Sequence, residues 1–329
     1  MVRVLVTGGA GYIGSHLVRF LLEKGYEVVV IDNLCKGHSW AVPDNVKFYK
    51  INLGDTKGLE EIFLENNIDA VMHLAGFIEV GESMLYPEKF YVNNVLNTLN
   101  LLNVMLKFNV KKIIFSSSAA IFGIPNSVPI SEDAEKKPIN VYGKTKLIVE
   151  NILDDYDYAY DLKSVCLRYF NACGAGYNLG EDHSLETHLI PLILKVALGE
   201  KAFIRIFGID YDTKDRTCVR DYVHVLDLAE AHILALEKLL FEEKSEKYNL
   251  GSGEGYSVRE IIEASRRITG EEIKAFEEDR RPGDPAVLIA DSSKIKNEFG
   301  WKQKFSLDDI IQSAWNWHKS HPQGFNENF

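Results

Sequence analysis

Positive charge is what this 329-residue chain has too little of: 37 Lys and Arg stand against 48 Asp and Glu, for a formal net charge of -11. A nucleic-acid partner needs a basic face that displaces counterions from phosphates, so this balance excludes polynucleotide binding as the main activity and leaves room only for a local cationic pocket. Cysteine is scarce as well. Cys35, Cys166, Cys173 and Cys218 show neither Cys-x-x-Cys nor His spacing, which argues against a disulfide framework and against zinc. The expectation is reduced thiols and no metal. No apolar run approaches the roughly 20 residues that span a bilayer, so no membrane partner is expected. The first residues enter a strand directly rather than through a signal-peptide core, and a cytoplasmic protein is expected. Internal repeats and low-complexity linkers are also missing.

What is present begins with a strand, a glycine turn and a helix. Residues 2–6 are a short apolar run, Thr7-Gly8-Gly9-Ala10-Gly11-Tyr12-Ile13-Gly14 follows, and Ile13, Leu17, Phe20 and Leu21 then recur at helical spacing as far as Gly25. Strand-like runs return at 28–31, 46–51, 70–74, 112–116 and 164–167, with helical patterns at 57–65, 88–108 and 141–153. Such alternation predicts an α/β fold, a Rossmann-like doubly wound parallel sheet covered on both faces. After Asn171 the alternation breaks; a loop containing Gly, Asp and His leads to helical patterns near 189–198, 225–240 and 258–268. We therefore expect a dinucleotide-binding domain over 1–171, with return segments after 220, and a smaller mixed α/β substrate domain over 172–329.

The glycine turn points to a cofactor. Between a strand and an amphipathic helix, Gly8, Gly11 and Gly14 would serve a tight bend, close approach of backbone to a pyrophosphate, and packing of helix on strand. Asp32 ends the second strand about twenty residues later, where a carboxylate accepts hydrogen bonds from ribose hydroxyls and repels a 2′-phosphate. NAD is thus expected rather than NADP. Asp32 and Asn33 would otherwise be ordinary turn residues, and their register with the glycines lifts the functional reading.

Tyr142 and Lys146 stand four residues apart in a helical stretch, hence on one face. An ammonium beside a phenol favours the phenolate and makes tyrosine a usable base. Such pairs are commonplace on solvated helices; downstream of a dinucleotide turn they suggest hydride chemistry. Ser116, Ser117 and Ser118 run off a buried strand at its carboxyl end, the edge where open α/β sheets place ligands. Ser118, the last, is the expected donor to a substrate hydroxyl, with Tyr142 as base and Lys146 both lowering the tyrosine pKa and holding the nicotinamide ribose.

These motifs resemble the extended short-chain dehydrogenases/reductases, and among them the UDP-glucose (UDP-galactose) 4-epimerases. The likeness runs through His73-Leu74-Ala75-Gly76, Val80-Gly81-Glu82-Ser83, Asn93-Asn94-Val95, Leu167-Arg168-Tyr169-Phe170-Asn171, Val219-Arg220-Asp221-Tyr222 and Arg280-Arg281-Pro282-Gly283-Asp284. It implies tightly held NAD, with contacts from Tyr12, Ile13, Asp32, Asn33, Asn52, Leu53, Leu74, Ala75, Gly76, Asn93, Ser116, Tyr142, Lys146 and Phe170. It implies a UDP-sugar substrate touched by Ser118, Tyr142, Asn171, His188, Leu189, Phe207, Arg220, Arg281, Asp284 and Leu288. Two arginines suit a diphosphate, and Asp284 can accept from uridine ribose hydroxyls. The implied reaction passes through a transient 4-keto sugar, and the implied assembly is a homodimer built on the helices near 88–108 and 141–153.

Some positions depart from the family pattern. Asn52 replaces an aspartate, Ile78 replaces a lysine that touches NAD phosphates in some members, so that part of the grip must come from elsewhere, and Ala120 replaces a common threonine. His188 stands where some members carry asparagine, and its role is open. Leu288 is intermediate between the tyrosine that excludes acetamido sugars and the small residues that admit them, which leaves UDP-N-acetylhexosamines open. A 4,6-dehydratase would need carboxyl groups where Ala119 and Ala120 stand. Uronate epimerisation or decarboxylation stays open on these residues, as does a non-catalytic nucleotide-binding scaffold.

Overall fold

The computed structural model describes residues 1–183, 186–281 and 284–325, which fall into two compact units. The first comprises Met1–Gly123, Glu135–Tyr169 and Ala229–Tyr248. Its strands β1 (Arg3–Thr7), β2 (Glu27–Asp32), β3 (Lys47–Lys50), β4 (Ala70–His73), β5 (Lys112–Ser118) and β6 (Lys163–Tyr169) run parallel. Glu246–Leu250 lies beyond β6, so the seven-stranded order is Glu246–Leu250, β6, β5, β4, β1, β2, β3. The order reverses at β1, the doubly wound pattern that the alternation of apolar runs predicts. Strands buried on both faces explain why β1, β4 and β5 read as continuous apolar runs. Leu5, Val29 and Ile113 from the sheet pack with Leu59, Ile62 and Phe63 of helix α2 (Thr56–Glu65) and with Leu101, Val149 and Leu153.

Helix α1 (Tyr12–Glu23) follows the glycine turn and ends before Gly25, whose φ of 83° is the left-handed stop of a helix. The helix expected over 88–108 is continuous but not uniform: Pro87–Phe90 and Asn97–Lys107 are α-helical, and Tyr91–Leu96 between them is a π-helix. Periodicity cannot reveal that extra residue in the turn, and such segments often mark functional sites. The Val141–Tyr160 helix runs a turn and more beyond its apolar pattern, closing on Asp161 in the left-handed region.

The second unit comprises Ile124–Ala134, Phe170–Leu228 and Asn249–Phe329. Its core packs Ile190, Ile193 and Leu194 of the Leu189–Ala197 helix with Ile261 and Ile262 of Val258–Thr269 and Ile310 and Trp315 of Leu307–Ser320. Ser257 and Ser306 each begin a helix with a reciprocal capping box. Short sheets of two and three strands complete the unit. No helix among the described residues is long and apolar enough to cross a membrane.

Candidate active site

In the first unit a cavity of about 110 Å³ lies along the carboxyl ends of the central strands. Its walls include Gly8, Gly11, Asp32, Asn33, Asn52, Leu53, Leu74, Ala75, Gly76 and Asn93. All ten were expected from the sequence as cofactor contacts. A dinucleotide fits what lines it. Gly8 sits at φ 74°, and a Cβ there would fall 2.7 Å from the Ala75 nitrogen, so only glycine lets the turn press against the loop after β4. A Cβ on Gly14 would fall 2.1 Å from the Gly8 carbonyl oxygen, and this is the close packing of helix on turn. Asp32 is buried and accepts the backbone N–H groups of Ala10 (3.1 Å) and Leu34 (2.8 Å). Burial raises its pKa while these donors pull the other way. Asn33 Oδ1 accepts the Cys35 N–H at 3.0 Å, and Asn52 Oδ1 accepts from Gly54 and from Asn97. The π-helix places Asn93 in the cavity wall and turns Asn94 inward, where it grips Phe77 through both backbone groups at 2.8 and 3.0 Å. Lys36, Gly37, Phe77 and Asn97 also line the cavity, and no motif had singled them out. Lys36 supplies a cation in a cavity where Ile78 does not, and it pairs with Glu79 at 2.5 Å. Tyr12 and Ile13 open α1 beside this cavity's glycine turn.

The three serines at the end of β5 have three different fates. Ser116 is buried with its hydroxyl against the Tyr169 phenol, which in turn meets His232 Nε2 at 2.9 Å. Ser117 donates to Glu150 at 2.5 Å, inside a buried pair in which Arg168 meets Glu150 at 2.7 Å. Ser118 alone is half-exposed; its hydroxyl accepts the Ala120 N–H at 3.2 Å and is the group that favours the Tyr142 phenolate. Local packing brings that phenol there. Asn140 caps the Val141–Tyr160 helix by accepting the Gly143 N–H at 2.7 Å, and a Cβ on Gly143 would lie 2.4 Å from the Ala120 carbonyl oxygen. Ser83 Oγ accepts the Tyr142 N–H at 3.1 Å. Lys146 is buried, donates to the Ser116 carbonyl at 2.8 Å and lies over the Phe115 ring. Its Nζ would be 3.5 Å from a Cβ on Gly76, which puts the ammonium at the rim of the same cavity.

One expectation needs correction. Protein groups alone hold the Tyr142 phenol up rather than down: burial raises it, the Ser118 hydrogen bond works against that, and the Glu79 carboxylate adds to the rise. Lys146 is not among the groups that set this balance; its ammonium lies 5.8 Å from the ring centroid and is engaged by the Ser116 carbonyl. Burial also weakens the lysine as a cation, holding it at about 8, with Glu150 opposing.

The second unit gathers another set. Arg220 forms an ion pair with Asp284, and Leu288 is its register partner on the neighbouring strand. The Arg281 guanidinium lies 4.0 Å from the centroid of the Phe207 ring. Asn171 donates its side-chain amide to the Asp221 carbonyl at 2.8 Å, and the Phe170 N–H bonds to Leu250. Glu181 and Glu186 flank His188 Nδ1 at 2.8 Å each, at the entry to the helix that Leu189 begins. Pro282 and Gly283 lie outside the described residues. Asp221, inside one of the resembling motifs, is fully buried and accepts from Ser252, Gly253 and Ala290, a structural hub.

The profile of the NAD dependent epimerase/dehydratase family matches residues 4–251. The chain belongs to that family. Among its members, the UDP-glucose 4-epimerase of Halalkalibacterium halodurans is 52% identical over 325 residues, covering 98% of this chain and 97% of the relative. The UDP-glucose 4-epimerase from Bifidobacterium longum, solved in complex with NAD+ and UDP, superposes with a TM-score of 0.94 at 44% identity, covering 98% of this chain and all of its own. The UDP-Glc/GlcNAc 4-epimerase from Campylobacter jejuni matches with a TM-score of 0.86 at 43% identity, over 97% of this chain and 100% of its own. The family is NAD-dependent, as the glycine turn and Asp32 suggest from sequence.

Proposed function

We propose that this chain is an isomerase that interconverts UDP-galactose and UDP-glucose at C4, with the first unit holding NAD and the second the nucleotide sugar. The observation that carries the reading is the Tyr142 phenol beside Ser118, the residue that works against the rise in its pKa, with a buried lysine one turn along the same helix at the rim of the glycine-turn cavity. NAD, when bound, would accept the C4 hydride and return it to the opposite face of the 4-keto sugar once that sugar has turned, and its positive charge would favour the phenolate that the protein groups alone disfavour. Ser118 orients the C4 hydroxyl, Tyr142 takes its proton and later gives it back, and Lys146 holds the nicotinamide ribose. The Ala119 and Ala120 side chains offer no acid or base for dehydration. In the second unit Arg281, stacked on Phe207, is the cation for the diphosphate, while Arg220 orients the Asp284 carboxylate toward ribose hydroxyls. Asn171 and Leu189 complete that group, and Phe170 contacts the cofactor.

A cytoplasmic homodimer completes the proposal. The four cysteines are free, and Tyr86, Tyr91, Val92 and Leu96 stand exposed on and before the helices expected at the interface.

Purified protein incubated with UDP-galactose, without added NAD, is expected to yield UDP-glucose by proton NMR, and Tyr142→Phe to yield none while retaining cofactor. No conversion by wild type, even with NAD supplied, would sink the reading. The rate with UDP-N-acetylgalactosamine relative to UDP-galactose reads out what Leu288 admits.

A further inference from the structure

The loop that enters the Leu189–Ala197 helix carries a cluster that hydride and proton transfer do not use. Glu181, His183 and His188 each present one ligand atom, and the three atoms lie within 4.8 Å of one another. Glu181 Oε1 is 2.8 Å from His188 Nδ1 and 3.6 Å from His183 Nε2. Glu186 Oε1 also lies 2.8 Å from His188 Nδ1, while accepting the N–H groups of Thr187 and His188 at 2.7 Å each. The independent sign is His183. Its Nε2 is sealed from solvent, aimed at Glu181 and, among the described residues, without a hydrogen bond; a buried polar atom left so is rare and needs an explanation.

We propose that Glu181, His183 and His188 bind a divalent cation of the zinc class, a structural metal that holds this loop. Ligands about 2.0–2.1 Å from a tetrahedral ion stand about 3.4 Å apart; the three atoms here lie within 4.8 Å of one another, and the ion would replace the proton now shared by Glu181 Oε1 and His188 Nδ1 at 2.8 Å, releasing it to solvent. Two imidazole nitrogens and a carboxylate oxygen suit zinc better than magnesium or calcium, which prefer oxygen alone. The ion would give His183 its missing partner and neutralise Glu181, with Glu186 supplying adjacent charge. The framework is tied down: Asp182 accepts the Phe325 N–H at 2.8 Å, and a Cβ on Gly180 would lie 2.2 Å from the Trp317 ring. Spacing of the cysteines could not disclose this site, because it contains none.

The loop delivers His188 and Leu189, so the metal would set the affinity for the nucleotide sugar; that consequence rests on the function proposed above, and metal binding itself does not. Tag-free protein is dialysed against zinc, desalted and analysed by plasma mass spectrometry. About one zinc per chain is expected in wild type. His183→Ala and Glu181→Gln should retain little, with affinity weaker by on the order of tenfold or more. A chelator should lower the Tm of wild type and leave that of His183→Ala unchanged. Wild type with no zinc above the buffer blank, or variants that keep as much as wild type, would overturn the proposal. If a variant fails to fold, the wild-type Tm decides: it must rise on zinc addition. Epimerisation measured on the same samples separates the two readings, since zinc retention without conversion counts against the reaction alone, and conversion without zinc against the metal alone.

Discussion

Ser116, Ser117 and Ser118 are chemically identical and adjacent, yet one hydroxyl meets a phenol, one a buried carboxylate and one the candidate base. Alternation along β5 cannot separate the first from the third, since both point to the same face; only the position of Ser118 at the end of the run distinguishes it. Lys146 teaches the opposite lesson. Its place beside Tyr142 was legible from i,i+4 spacing, but its electrostatics were not, because desolvation depends on everything packed around it. Burial depresses its pKa from 10.5 to about 8. The folded chain therefore releases this proton before the unfolded chain does, so the cost of the buried charge is full below pH 8 and fades as pH rises to 10.5. Lys146→Met lacks that cost. Urea midpoints of cofactor-stripped wild type and Lys146→Met, taken from pH 7 upward, are expected to shift in favour of wild type across that window. Parallel curves would contradict the depressed pKa.

At the scale of elements, the start of the Val141–Tyr160 helix is fixed by contact with the Ala119–Phe122 turn. A methyl at Gly143 would meet the Ala120 carbonyl at 2.4 Å, so Gly143→Ala must displace the helix start and Tyr142 with it. We expect kcat to fall on the order of 100-fold, the scale of an ångström's misplacement, with bound NAD retained. Gly81→Ala, where a Cβ has nothing within 4 Å, should behave as wild type in the same assay. The Val141–Tyr160 helix is also held to β6 by Glu150 and Arg168, whose side chains are 1% and 2% exposed. Removing one member strands the other in the core. Glu150→Ala is expected to cost roughly 3–5 kcal/mol in urea denaturation; a loss within a few tenths would show that the arginine finds water. Apolar periodicity located these helices and strands, but the π-helix at Tyr91–Leu96 escaped it, because six residues are too few for its period to be told from 3.6.

For the whole molecule, the proposed dimer makes a separate prediction. Val92 and Leu96 are exposed on the π-helical stretch, and a charge at each would face apolar surface across a two-fold interface. Light scattering is expected to give a dimer for wild type and a monomer for Val92→Asp combined with Leu96→Asp. Wild-type monomer at micromolar concentration would remove the proposal.

The sequence by itself determined the doubly wound sheet and the cofactor. Strand and helix periods, and glycines that no other residue can replace, are local properties written into consecutive positions. The tertiary structure decided what depends on neighbours distant in the chain: the place of Ile124–Ala134 in the second unit, Lys36 in the wall of the glycine-turn cavity in a position no motif marks, the pairing of Arg220 with Asp284, and the meeting of His183 with Glu181. The strand of residues 246–250 joins the sheet beside β6 although about eighty residues separate them. Charge, burial and orphaned polar atoms are collective quantities, set by packing rather than by spacing.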